Sequence, residues 1–545
     1  MFLRSRRRIL AAVSSAIVVA LALSGCGSGE SSPTSRSEPQ QANEVIIGVG
    51  GDEGTLTPYT QQTGFPGNNL VALVYDKLLE RDAKNDLKPL LATGFEANPE
   101  NTAFTVQLRP DVTWHDGKPF TAEDVAFSVD YYRQNPQGDS APSIQGIKDV
   151  TAQDDTVIFT LTSPDPDFPN RLLADMRILP KHIWQSIDSP ETATVEQAVG
   201  TGPYKLISYT KDRGYELAAN PDYGMGEPRI QTIKISIIPD QQTALAALRT
   251  GEVSILTRTI PEEQATGLEE QRGVKIQRGS SFTSTLLAFN NGHPAFEEPK
   301  VRSAVSSAIN TQTLVDTVLR GRGLPGSPGF WHPEAPGADT GLNHQYDPQR
   351  AVALLEEVGA QPGPNGIRVL DGTPMTYTLL VQSSSPERIR SAELIRDMLK
   401  EVGIGIDVRS MDSDSVDAKV WPELDVTKGR DYDMTMWGWS APVMLDKTSM
   451  ANILDSDTSA GRLNITGTDD LDIDRLTGGL RSATTSEARQ DTLAELQRTV
   501  AEKVPFVTLY YPENTYGYRQ DTYGGWVYQD GQGLFNKMSF VDLGW

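Results

Sequence analysis

One cysteine, Cys26, stands in a chain of 545 residues. No disulfide can form within such a chain, so its fold must rest on buried apolar surface. Single hydrophobic cores stop growing beyond roughly 250–300 residues, and the stretch from Cys26 to Trp545 therefore predicts two or three domains. Hydrophobic residues at 38% and eight tryptophans supply the apolar surface, while 35 prolines and 47 glycines imply many turns. The formal charge of −23 argues against a nucleic-acid partner, which would need basic patches, and against direct adhesion to anionic lipid.

The residues before Cys26 have the layout of a secretory signal over 1–25. Arg4, Arg6, Arg7 and Arg8 precede an apolar run from Ile9 to Leu23, broken only by Ser14 and Ser15. That run is about 15 residues, short of the roughly 20 needed to span a bilayer. Leu23-Ser24-Gly25-Cys26 resembles the bacterial lipobox, which implies that Cys26 becomes the acylated first residue of the mature protein. Residues 26–43, rich in Gly, Ser, Pro and Gln, read as a flexible tether. An ordinary secretory signal is the alternative reading. The twin-arginine pattern at Arg6-Arg7 is incomplete, which favours general secretion.

Further on, strand and helix patterns alternate. Glu44–Val49 reads as a strand, and the glycines at 48, 50 and 54 lack the following helix that a phosphate loop requires. Asn68–Leu79 has helical spacing, and Ala103–Leu108 alternates as a strand. Thr121 and Asp124 form a capping box for a helix carrying Val125, Ser128, Val129 and Tyr132 on one face. Ile233–Ile238 reads as a strand ending at Pro239; Asp240 then caps a helix stopped by Gly251. Asp347-Pro348 and Ser385-Pro386 open two more helices, and Ile404–Val408 returns as a strand. The sum is an α/β chain.

The segment Lys88–Tyr132, KPLLATGFEANPENTAFTVQLRPDVTWHDGKPFTAEDVAFSVDYY, resembles the signature region of family 5 extracellular solute-binding proteins, the receptors of dipeptide, oligopeptide and nickel ABC importers. The resemblance continues through Gly200-Thr201-Gly202-Pro203-Tyr204, Asn220-Pro221-Asp222-Tyr223, Phe289-Asn290-Asn291, Pro299–Ala304 and Pro505–Tyr511, and covers residues 44–545. It implies a two-lobed periplasmic-binding-protein-like fold of class II and three-domain type. Domain I would comprise 44–67, 200–285 and 505–545, domain II 68–199, and domain III, the opposite lobe, 286–504. Two strands would cross between lobes near 286 and 505 and act as the hinge.

The same resemblance implies the ligand segments. Thr63, Gly64 and Phe65 on one lobe, and Trp437, Gly438, Trp439 and Ser440 on the other, match segments that hold an extended peptide by main-chain hydrogen bonds. On residue type alone, Trp437 and Trp439 read as hydrophobic core; the resemblance instead places Trp439 on the cleft. Peptide receptors place an aspartate after this tryptophan to pair with the ligand's α-amino group; here Pro442 stands at that position, and Asp446 is the candidate replacement. Blocked peptides, cyclic peptides, sugars and other polar solutes are then open alternatives.

No nucleophile elbow, zincin helix or phosphate loop occurs. The histidines at 115, 182, 293, 332 and 344 lack metal-ligand spacing, and His115-Asp116 precedes a turn at Gly117. The resemblance, with these absences, implies a monomeric receptor without catalysis, cofactor or metal, lipid-anchored outside the cytoplasmic membrane. It would capture a peptide or similar polar solute for ABC permease subunits with cytoplasmic ATPases. A receptor for an oligosaccharide or metal chelate, and a secreted lipoprotein hydrolase, are the alternatives.

Overall fold

The computed structural model describes residues 39–59, 65–136, 144–459 and 461–545. The expected signal, Cys26 and most of the tether lie outside that set.

A 12-stranded sheet organises the chain. Its strands are β1 (Ala42–Val49), β2 (Tyr204–Thr210), β3 (Gly214–Ala219), β4 (Ile230–Ile237), β5 (Ile255–Leu256), β6 (Val274–Ser280), β7 (Thr285–Phe289), β8 (Gly323–Pro325), β9 (Thr376–Gln382), β10 (Gly405–Met411), β11 (Met434–Trp437) and β12 (Phe506–Arg519). They run in the order β10-β9-β11-β7-β12-β5-β1-β4-β3-β2, with β6 and β8 also on β12. Two-lobed α/β architecture follows from this one long strand. Phe506–Tyr510 of β12 pairs with β7, and Glu513–Arg519 pairs with β6.

Each half of the sheet has its own cores. Around β1 and β4, Val45, Ile47, Ile233 and Ile235 belong to a core that continues into a four-stranded sheet through Phe104, Val106, Val157 and Phe159. In the other lobe, Leu287, Leu379 and Met434 pack with the helix Pro299–Ala308 through Val301, Ala304 and Val305, while Leu286 and Phe506 pack with the helix Ser486–Lys503 through Leu493, Leu496 and Val500.

Local signals placed most elements. The Asp124 carboxylate accepts from the Thr121 N–H at 2.9 Å and opens the helix Ala122–Gln134, whose Val125, Ser128, Val129 and Tyr132 are buried. Asp240 accepts from Thr243 N–H at 2.8 Å, and Gly251, at φ 83°, ends that helix. One expectation needs correction. The helix expected over Asn68–Leu79 spans Phe65–Ala72, and Leu79 lies in a short strand. Tertiary contacts take over the backbone: Leu73 O accepts from Tyr204 N–H at 3.0 Å and Val74 O from Gly202 N–H at 2.9 Å.

This crossing is tight. A Cβ at Gly200 would lie 1.8 Å from Val74 O, backbone that cannot rotate aside. Gly200→Ala should therefore cost about 1–3 kcal/mol of stability or more, read as a lower urea midpoint at unchanged slope. A midpoint equal to that of the unaltered protein contradicts the packing argument. His115 bridges the same crossing, its Nδ1 accepting from Gly200 N–H at 3.3 Å while Nε2 lies 2.9 Å from Gly202 O. Its role is structural, as is that of Asp116, which bonds His182 at 2.8 Å.

Candidate functional site

Between the lobes lies a cavity of about 150 Å³, well above the roughly 10–15 Å³ that one water needs. Its floor is formed by the two segments that join the halves of the large sheet. Ser281 and Thr283 come from the link between β6 and β7, and Asn514 and Tyr516 from β12. One wall carries Asn69, Thr257, Gly531, Gln532 and Phe535; the other carries Ser440 and Ala441. The two crossing segments are joined where Ser281 N–H donates to Pro512 O at 3.3 Å. Pro512 has no N–H to give back, so β12 lacks a ladder donor at the crossing. Phe282, buried at φ 49°, places a left-handed turn in the other segment.

Many of the lining groups bond one another. Asn69 donates to Phe535 O at 2.5 Å, the Ser281 and Thr283 hydroxyls lie 2.7 Å apart, and Asn514 donates to the Tyr516 hydroxyl at 3.3 Å. Ser440 is exposed to the gap and makes no side-chain cap bond to the short helix it precedes.

The expected ligand residues divide. Thr63 and Gly64 lie outside the described residues, and of Phe65 only the backbone, at the start of its helix, is described. Trp437 and Trp439 are 8% and 7% exposed and belong to the core of their lobe. Their rings meet at 6.3 Å and 67°, with Trp421 set 6.2 Å from Trp439. All three indole N–H groups lack an acceptor among the described residues. The Trp439 backbone is engaged with Ser284, just before β7: its N–H donates to Ser284 Oγ at 3.2 Å and its carbonyl accepts from Ser284 N–H at 3.0 Å. Gly438 is required there, because a Cβ would lie 2.2 Å from Ser284 O and 2.7 Å from Arg388 Nη2. Asp446 caps the helix Lys447–Leu454, accepting from Thr448 N–H at 2.9 Å and the Ser449 hydroxyl at 3.0 Å.

A second set of groups spans the lobes. Arg489, on the helix Ser486–Lys503, pairs with Asp167, which follows the four-stranded sheet. Arg489 is 5% exposed and also donates to the Thr448 hydroxyl at 3.0 Å. Burial pushes the Asp167 carboxyl up, the nearby Asp446 adds to this, and Arg489 opposes it. Alongside, Asn101 donates to Thr484 O at 2.7 Å. Sequence reading missed this pair, which has no motif and is separated by most of the chain.

His332 joins both crossing segments. Wholly buried, it stacks on Phe282 at 4.3 Å, meets Tyr511 at 4.7 Å, and bonds Ser280 Oγ at 3.2 Å. Its Nδ1 accepts from Glu334 N–H at 3.2 Å, so the neutral ring fits, and burial pushes its pKa down to about 4. Between pH 6.5 and 4 the unfolded chain then binds the extra proton, and stability falls with falling pH. The expected loss from this group is about 2 kcal/mol by pH 5. Urea midpoints across that window should decline less steeply in His332→Gln; an identical slope contradicts the assignment.

Residues 86–461 match the family model described as bacterial extracellular solute-binding proteins, family 5 Middle. The oligopeptide-binding protein AppA of Bacillus subtilis is 26% identical over 549 residues, covering 98% of both chains. Among solved structures, the ABC transporter substrate-binding protein CtaP of Listeria monocytogenes superposes with a TM-score of 0.80 at 24% identity, covering 92% of this chain and 99% of CtaP. AppA of Bacillus subtilis in complex with a nonapeptide gives 0.70 at 24% identity, with the same coverage. These superpositions show the shared fold.

Proposed function

Because this chain belongs to family 5 of the bacterial extracellular solute-binding proteins, we propose that it captures a peptide or similar polar solute between its lobes and delivers it to an ABC permease pair driven by cytoplasmic ATPases. The observation that carries this reading is the cavity itself, floored by both hinge segments and walled by both lobes. A solute there touches both lobes only in the closed form, so binding shifts the population toward closure. The closed receptor is then the form that docks. The role is binding, without covalent chemistry.

The finer parts of the proposal rest on sequence. Residues 44–67, 200–285 and 505–545 form domain I, 68–199 domain II and 286–504 domain III. Cys26 carries the lipid that holds a monomeric receptor outside the cytoplasmic membrane; no helix among the described residues is long and apolar enough to cross it. Ser440 contacts solute directly, with Trp437, Gly438 and Trp439 behind it, and Thr63, Gly64 and Phe65 are the second ligand segment that the family resemblance implies. Asp446 stands near as a capped carboxylate. Denaturing the purified protein and analysing the released small molecules by mass spectrometry tests the role. Short peptides or one defined polar solute are expected. An empty protein that no peptide or sugar pool stabilises against heat contradicts it, and turnover of a model ester or amide would point to a hydrolase.

A further inference from the structure

We infer that the cavity selects an uncharged solute, one presenting amides or hydroxyls and neither a free ammonium nor a free carboxylate. This deepens the receptor reading and rests on it. Charged residues make up 22% of the chain, yet among the described residues no side chain lining the cavity carries a formal charge. Its polar side chains are the amides of Asn69, Asn514 and Gln532 and the hydroxyls of Thr257, Ser281, Thr283, Ser440 and Tyr516. Amides and hydroxyls both donate and accept, so they match neutral groups of the same kind at little net cost.

An ionised end has no such match. Burying a charge without a counter-charge is expensive, and Asp446, the carboxylate that follows the Ser440 wall in the chain, is taken by its own helix end. Phe535 and Tyr516 add apolar faces, the usual complement to a few convergent polar groups. End-capped or cyclic peptides and neutral oligosaccharides share this chemistry.

The test offers the purified receptor three pools: short peptides with free ends, the same peptides N-acetylated and C-amidated, and neutral oligosaccharides. Native mass spectrometry and titration calorimetry read what is retained. Capped peptides or oligosaccharides should bind at least about tenfold tighter than the free-ended pool, about 1.4 kcal/mol. Retention of capped peptides identifies a peptide source, and retention of oligosaccharides a sugar source. Equal or tighter binding of free-ended peptides overturns the inference and leaves the receptor role standing. Retention from no pool, with no ligand released on denaturation, removes the receptor role and the inference with it. Ser440→Asp supplies the missing anion and should raise the affinity of free-amine peptides about tenfold; no gain counts against the uncharged wall.

Discussion

Arg489→Ala should leave the cleft open and weaken solute binding tenfold or more. The guanidinium is 5% exposed and holds Asp167 across the lobes. Its removal strands a carboxylate whose pKa burial and Asp446 already push up. Breaking a buried pair by deleting one partner costs about 3–5 kcal/mol; here the cost falls on the closed form alone, because opening returns Asp167 to water. A ligand that binds only the closed form loses affinity by the population it must restore. Small-angle scattering should show a larger radius of gyration, and calorimetry the weaker binding. Asp167→Ala in the same background should add little, since the two act as one unit. An unchanged scattering curve together with unchanged affinity would remove the pair from the closing mechanism.

Lys537→Met should be the most destabilising single change described here, at about 3–5 kcal/mol. Lys537 is 4% exposed and pairs with Asp76, which is fully buried, while Glu80 lies 3.7 Å away. Asp76 also accepts from the Thr201 and Tyr223 hydroxyls, at 3.0 and 3.3 Å, so one buried carboxylate ties the C-terminal segment to the crossing at 201. Removing the ammonium leaves that carboxylate unpaired. The double change Asp76→Asn with Lys537→Met should recover part of the loss. Burial opposes ionisation of Glu80, but Lys77 and Lys537 overcome this and hold its carboxyl down to about 2. The stability this supplies is present above the unfolded value near 4.5 and is lost as pH falls from there toward 2. A urea midpoint for Lys537→Met within error of the unaltered protein contradicts the account.

How far these features were legible depends on whether the signal was local. Caps at Thr121, Asp240 and Asp347 are written in adjacent residues, and the helices they open are present. The strand Ala103–Leu108 shows its alternation directly. The end of the helix after Asn68 was not legible, because the N–H groups of Gly202 and Tyr204, far along the chain, decide it. Pro505–Tyr511 reads as a strand, yet β12 continues to Arg519 because β6 waits there to pair with it. The cavity is harder still. Asn69, Thr257 and Gln532 come from three remote segments with no shared pattern, and only the fold brings them together. Residue type alone pointed the tryptophans at 437 and 439 to the core, where they lie; the edge-on contact of their rings and the nearby Trp421 were not legible.

The position of β12 also governs how the chain is made. It is inserted between β7 and β5 in the middle of the sheet and completes both lobes. Until Phe506–Arg519 has emerged from the ribosome, β7 in one lobe and β5 and β6 in the other stop at unpaired edges, and Asp76 still waits for Lys537. Neither lobe can close early, because its last partner is synthesised nearly at the end. Pairing over so long a sequence separation is slow. Elements made early, such as the four-stranded sheet over 92–161, can collapse first, but the join between the two halves of the large sheet waits for the tail.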